Sequence, residues 1–390
     1  MAWLLMILII AEESGTTAPG LVRPSDTGSD HCRALAARWI WDCVSTHEKC
    51  HDTRQRSWLP TRLIDVGHDW PAVQPKLVVT SQLSKQLLAP LYTSLSHLWS
   101  AESVFRLTID NQHQLMQAIP LTSLSPTFRD AILFTRQLGI RYLWIDSLCI
   151  LQGSSDDWKI ESALMNKVYK HSVCNIAATS ASEYSPGLYQ RRDPRLVTPY
   201  RVRIRRRGHN CVYIFSVGGS YHHDMTKARL NSRGWVFQER MLCPRTLHFS
   251  SQLLWECRTL HACETYPAGF PRPPVALTND IEMPWPNPKL WIKDVRTNEL
   301  SSWNLLVQSY CRTQLSRPTD RLAAIAGLAQ EVQVYTKGVY LAGLWKEHLP
   351  YALCWSLWGT SRASGAVTRP DEYRCKSLLK FYRMTRVTTS

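Results

Sequence analysis

Arg141 to Tyr169 reads RYLWIDSLCILQGSSDDWKIESALMNKVY. Tyr142 to Ile145 is apolar and rich in β-formers, and the run stops at Asp146. A polar loop follows over Gln152 to Asp157, and a helical pattern begins at Trp158. Apolar strand, polar loop and helix form the half-unit of an α/β domain. Ligands of such sheets sit beyond the carboxyl ends of the strands, where Asp146 is expected to lie.

The same alternation extends outward. LYTSLSHLW, Leu91 to Trp99, predicts a strand ending near Ser96 and His97. Ser125 is placed to cap a helix with Pro126 at its first position. Phe128, Ala131, Ile132, Thr135 and Leu138 form its apolar stripe, and Gly139 ends it. A further strand is expected over Val173 to Thr179. Strand, helix, strand, helix, strand is the signature of a parallel sheet.

Away from this core the signals are weaker. Gly15 to Asp30 reads as a linker, Ala34 to Val44 as a short helix, and Pro60–Val66 and Lys76–Thr80 as strands. Downstream, Tyr184 to Pro199 reads as loop. Tyr200–Arg207 and Val212–Val217 read as exposed strands, and Leu230–Leu242 as a helix closed by Pro244. Thr246 to Cys257 predicts a hairpin turning at Ser250 and Ser251. Pro267 to Pro288 marks a boundary, with helices expected over Trp303–Gln330 and Gly343–Trp358. The domains expected are an N-terminal extension (1–91), an α/β domain (92–257) and a mostly helical C-terminal region (258–390).

The net charge of +15 favours acidic partners but carries no information about fold. Several of the 12 cysteines sit inside apolar runs, which points to thiols in a reducing, cytoplasmic setting rather than to a disulfide framework. Met1 to Ala11 is apolar but too short to span a bilayer, and Glu12 and Glu13 stand where a signal peptide would have its cleavage site. It is expected to be a buried or frayed segment, and no membrane partner is expected.

Two carboxylates stand out. Glu161 shares a helical face with Trp158, Met165, Val168 and Tyr169. A carboxylate there is an acid–base group, or else half of a buried pair with an arginine or a residue at the stripe's edge, and the structural reading is favoured. Glu239 follows Trp235 by one helical turn, on a face with Gln238 and Leu242. An aromatic plate beside a carboxylate can stack a flat heterocycle and stabilise a cationic transition state; the alternative is a helix packed by its Trp. Ser96, His97 and Asp146 fall at strand ends.

Other clusters carry less. Cys149 with His97 is a conceivable nucleophilic pair, but Cys149 lies in the apolar run SLCIL. Cys43-x3-His47-x2-Cys50 has zinc-ligand residue types at an uncommon spacing, and Cys257, His261 and Cys263 form a weaker echo; no metal is assigned. The alternating Arg201, Arg203 and Arg205 read as a solvated strand face without the aromatic ladder of a single-strand binder, so no nucleic-acid partner is expected. There is no glycine-rich phosphate loop.

Five blocks in order, YTSLSHLW (Tyr92–Trp99), Ser125–Gln152, Asp157–Tyr169, CNIAATSA (Cys174–Ala181) and NSRGWVFQERMLCPRTLHF (Asn231–Phe249), strongly resemble the fungal heterokaryon incompatibility (HET) domain. WIWDCVSTHEKC and PTRLIDV resemble its usual upstream segment. SRPTDRLAAIAGLA and YLAGLWKEHLPYALCWSLW resemble its downstream helical region.

The resemblance implies a role in fungal non-self recognition and regulated cell death. It also implies a remote kinship with TIR domains, some of which cleave NAD with a helix glutamate four residues after a tryptophan. Carried over, it makes Glu239 the catalytic carboxylate and Glu161 the second choice, with Trp235, Ser96, His97 and Asp146 lining the NAD site. NAD would be substrate, not cofactor. Activation would come from a protein partner and proceed through a homo-oligomer, or the domain would act as a non-enzymatic oligomerising module. Two departures stand out. The usual SHCWG is here Ser96-His97-Leu98-Trp99-Ser100, and the sequence after Trp358 lacks the family's Trp/Pro-rich continuation, which predicts a truncated or diverged end.

Overall fold

The computed structural model describes residues 7–10, 23–51, 58–67, 73–83, 90–99, 105–181, 187–206, 209–216, 224–225, 227–270, 289 and 300–353. The chain divides into two compact units. The first comprises Met1–Leu230 and Cys243–Asn287, and the second Asn231–Leu242 and Pro288–Ser390.

Within the first unit the elements are β1 (Ile7–Ile10), α1 (Asp30–Thr46), β2 (Arg62–Asp65), β3 (Lys76–Val79), β4 (Tyr92–Ser96), α2 (Gln112–Gln117), α3 (Pro126–Gln137) and β5 (Tyr142–Ile145). There follow α4 (Asp146–Cys149), α5 (Ser155–His171), β6 (Asn175–Ala177), β7 (Tyr200–Arg206), β8 (His209–Ser216), β9 (Arg245–Phe249), β10 (Leu253–Cys257) and β11 (His261–Cys263). Eight strands form one sheet in the order β11-β10-β9-β6-β4-β5-β2-β3. Its centre, β9-β6-β4-β5, is parallel. Antiparallel strands extend it on both sides. The fold is therefore α/β with a parallel core. A separate antiparallel sheet has the order β1-β8-β7.

Local chemistry sets the helix ends. Ser125 Oγ accepts from Phe128 N at 3.3 Å, Pro126 opens α3, and Gly139 follows it at φ 73°. Ser29 and Ser154 cap α1 and α5 in the same way. Helices then cover both faces of the sheet. On one, Thr93 bonds Thr135 of α3 at 2.8 Å, Phe134 meets Phe249 edge-on at 5.3 Å, and Trp39 of α1 stacks on Trp255 at 6.2 Å. On the other, Tyr169 of α5 meets Trp144 edge-on, and Tyr92 Oη donates to Val168 O at 2.6 Å. Each such buried aromatic contributes about 1.5–3 kcal/mol.

The second unit holds the helices Gly234–Leu242, Leu300–Cys311 and Ala323–Thr336 and a short hairpin, Tyr340–Leu341 with Leu344–Trp345. Gly234 N donates to Gln314 O at 2.7 Å, and Gln238 Oε1 accepts from Gly327 N at 2.9 Å, so the first helix is tied to the rest of its unit.

Several expectations shift. The helix expected from Trp158 starts at Ser155, because the Ser154 cap and the acidic first turn, Asp156 and Asp157, recruit part of the polar loop. Trp158 itself is 39% exposed and lies outside the buried stripe. The linker expected up to Asp30 ends earlier: Asp26 bridges Arg191, Thr27 is buried and Ser29 is the cap of α1. The apolar start contributes β1, paired with β8, while Met1–Met6 lie outside the described residues. The expected helix over Trp303–Gln330 is two helices, separated by the Pro318–Arg321 turn. Over 343–353 there is a hairpin strand and two 3-10 turns, because Ala342 and Gly343 take positive φ and Pro350 lacks a donor; 354–358 lie outside the described residues. The side chains of β7, including Arg201, Arg203 and Arg205, and most of Pro267–Pro288 are outside them too.

The sequence boundaries also differ from the compact units. Strands β2 and β3, from the expected N-terminal extension, belong to the central sheet. The helix carrying Trp235 and Glu239 groups with 288–390.

Candidate functional site

The chain leaves β4 through α3 toward β5, and leaves β6 toward β9 on the opposite side. That reversal makes the carboxyl ends of β4 and β6 a switch point, the place where open α/β sheets bind ligands. Ser96 ends β4 and is buried, and Asn175 Nδ2 donates to its Oγ at 2.9 Å. Asn175 Oδ1 in turn accepts from Ser94 Oγ at 3.1 Å.

His97, the next residue, is buried, meets Phe128 edge-on at 4.9 Å and stacks on Trp99 at 6.2 Å. Its Nδ1 lies 3.6 Å from Asp146 Oδ1, an ion-pair distance when the ring is protonated. The other carboxylate oxygen of Asp146 accepts from Trp99 Nε1 at 2.8 Å, and Oδ1 accepts from Ser147 N at 2.7 Å. Asp146 thus orients an indole that is 39% exposed. The result is an accessible aromatic plate, backed by an imidazole and held by a carboxylate, at a strand end. Such a plate suits a flat heterocycle.

A second network runs along the sheet. The registers place Ser94, Asn175, Thr246 and Glu256 in one cross-strand row, with Ser96 and His248 in the next row on the same face. All six are buried. His248 Nδ1 lies 3.1 Å from Thr179 Oγ1, and Nε2 lies 3.1 Å from Glu256 Oε2. An ionised Glu256 accepts from the ring Nε2–H. Sequence reasoning passed over this network. Its trace was Thr246 and His248 alternating with the apolar Leu247 and Phe249 in one strand.

Glu161 lies elsewhere, in the buried stripe of α5, and is 2% exposed. Arg62 forks onto Asp157 at 2.6 and 3.1 Å, donates to Cys149 O at 3.0 Å, and stands 3.7 Å from Glu161 Oε1. Burial raises the Glu161 carboxyl above its ordinary value, against the opposing pull of a Thr61 hydrogen bond and of Arg62. Arg62 makes Glu161 part of a buried ion-pair cluster. Cys149 is buried, and burial pushes its thiol up to about 12, so it makes no ready nucleophile for a pair with His97.

Trp235 and Glu239 lie in the second unit. Trp235 is half-buried and its Nε1 donates to Asp320 Oδ2 at 3.4 Å. Glu239 is 5% exposed. Of the residues singled out in the sequence, Ser96, His97 and Asp146 form one cluster, Glu161 joins Arg62 and Asp157, and Trp235 pairs with Asp320.

One surface hollow of about 300 Å³ lies between α1 and α3, lined by Asp30, Arg33, Phe134 and Leu138 among others. Ser96, His97, Asp146, Glu161, Trp235 and Glu239 are not among its lining. For metal ligands, Cys43, His47 and Cys50 are joined in space by Cys257.

Residues 92–239 match the family model of the heterokaryon incompatibility protein (HET). The chain carries a HET domain. No curated protein and no solved structure was found to match it. The HET match begins at β4 and ends at Glu239, so it takes in Ser96, His97, Asp146, Glu161 and Trp235 as well. Among the described residues no helix is long and apolar enough to cross a membrane.

Proposed function

We propose that this HET-domain protein hydrolyses the nicotinamide–ribose bond of NAD, as the effector step of fungal cell death after non-self recognition. The observation that carries the reading is the Trp99 plate, oriented by Asp146 and backed by His97, at the carboxyl end of β4. A flat, charged dinucleotide is the ligand class such a strand-end plate suits. Water adds to the ribose anomeric carbon, nicotinamide leaves with the bonding pair, and ADP-ribose and a proton complete the balance. The family resemblance assigns the stabilisation of the oxocarbenium-like ribose to the Glu239 carboxylate, in the way carboxylates act in glycoside hydrolysis. Trp235 Nε1, donating to Asp320 Oδ2, ties its helix to the rest of its own unit. A protein partner drives oligomerisation and so switches the domain on.

The test is forced oligomerisation of the full chain with NAD followed over time. Wild type is expected to consume NAD, and both Glu239→Ala and Trp99→Ala to slow this on the order of a hundredfold. Trp99 is accessible, so its removal is expected to leave stability within about 1 kcal/mol. Cell death with NAD untouched in every variant overturns the enzyme reading and leaves a non-enzymatic oligomerising module. Equal NAD loss in wild type and Glu239→Ala keeps an enzyme and removes Glu239 from its site.

A further inference from the structure

We propose that Cys43, His47, Cys50 and Cys257 bind one structural zinc ion, which fastens the end of α1 to the end of β10. The ligand atoms of the four residues all lie within 4.8 Å of one another. Around a tetrahedral zinc, the Zn–S and Zn–N bond lengths put sulfur and nitrogen about 3.6 Å apart. Cys257 Sγ and His47 Nδ1 are 3.4 Å apart. Three of the residues come from one short segment and the fourth from a distant strand. Cys43 is in the last turn of α1, His47 is its C-cap, Cys50 ends the 3-10 turn Glu48–Cys50, and Cys257 ends β10. None of the three cysteines is in a disulfide, and all three are buried.

The surroundings are those of a thiolate cluster. Leu260 N and Thr259 N donate to Cys257 Sγ at 3.1 and 3.4 Å. Arg245 Nε donates to Cys43 Sγ at 3.2 Å, while its other nitrogens bond Cys50 O at 3.1 Å and Val173 O at 3.3 Å. Three thiolates and a neutral imidazole around Zn²⁺ leave one negative charge, and the buried Arg245 guanidinium offsets it. Such outer groups orient ligands and stabilise the charge of a site. Four protein ligands fill the tetrahedron, which describes a structural site with no open position for substrate. On binding, the thiols release their protons and the imidazole stays neutral, with Nδ1 on the metal.

The sequence spacing held three of these ligands and, taken alone, no metal. The fourth comes from 210 residues downstream of His47. His261 and Cys263, the other members of that downstream echo, are not in the cluster. An ion here closes a loop of that length, and its binding energy becomes folding energy.

The test uses the full chain, purified under reducing conditions without chelator, with zinc in the medium. Elemental analysis is expected to find about one zinc per chain, falling below about a tenth in Cys257→Ser and unchanged in Cys263→Ser. A chelator is expected to lower Tm by on the order of 10 °C, with recovery on adding zinc. Should Cys257→Ser fail to fold, cobalt exchanged into the wild type decides: tetrahedral thiolate bands support the site. Wild type that neither carries nor takes up zinc stoichiometrically overturns it. So does a disulfide among Cys43, Cys50 and Cys257 in the reduced preparation, or equal zinc loss in Cys263→Ser and Cys257→Ser.

Discussion

Arg62 serves two carboxylates at once, the half-buried Asp157 through a fork and the buried Glu161 at longer range. Removing it takes the nearby cation from the buried Glu161 and leaves Asp157 with the Leu151 N–H. Arg62→Met is therefore expected to cost about 3–5 kcal/mol, read by urea unfolding. Glu161→Gln makes the opposite change, because it deletes a charge that burial disfavours. The folded pKa of Glu161 lies above its ordinary 4.5. Its contribution to stability is thus present below that ordinary value and lost as pH rises through the folded value. The stability of Glu161→Gln relative to wild type is expected to grow from acid to neutral pH. A flat difference across that range would show that Glu161 does not titrate as its burial demands. At this scale the sequence was informative: an acidic residue inside an apolar stripe pointed to an arginine pair among its readings, and which arginine was left to the structure.

Among elements, the clearest contrast is between α3 and the Gly234–Leu242 helix. α3 carries its own boundaries in Ser125, Pro126 and Gly139, which act within one turn and could be read directly. The Gly234–Leu242 helix was expected to start at Leu230, yet Leu230–Ser232 forms a 3-10 turn and the helix begins at Gly234. Gly234 stands at a close approach: a Cβ there would fall 2.5 Å from Leu315 Cδ2 and 2.7 Å from its Cγ. Gly234→Ala is expected to cost about 1–3 kcal/mol through overpacking, measured by denaturant unfolding. A neutral result would mean that Leu315 swings clear. Long-range packing of this kind leaves no mark on local periodicity. The same holds for the C-terminal hairpin, whose positive-φ corner at Ala342 and Gly343 broke a pattern that looked helical.

On the scale of the molecule, the stretch that matches the HET family is not a complete folding unit. It ends at Glu239, before β9, the strand that pairs with β6 on one side of the parallel core, and it begins after β2 and β3. Its last helix also loses the partners of Gly234 N and Gln238, which come from residues 314 and 327. A chain of residues 92–239 alone is expected to lack a cooperative thermal transition by circular dichroism, where the full chain has one. A sharp, reversible melt of the short chain would refute this. The expected domain edges followed motif blocks, whereas the sheet recruits strands from before and after them.

What the sequence determined by itself was what short-range chemistry determines: the strand–helix alternation, the capped helices, the hairpin at Ser250 and Ser251, and the residue types at strand ends. Family wording added the HET domain. Tertiary structure alone decided which distant side chains meet. Cys257 joins Cys43, His47 and Cys50, His248 links Thr179 to Glu256, and Asp146 holds Trp99. The cause is physical. Sheet order and register are global properties, set by burying one face of every strand at once, and they fix which residues face each other across separations that no local pattern encodes.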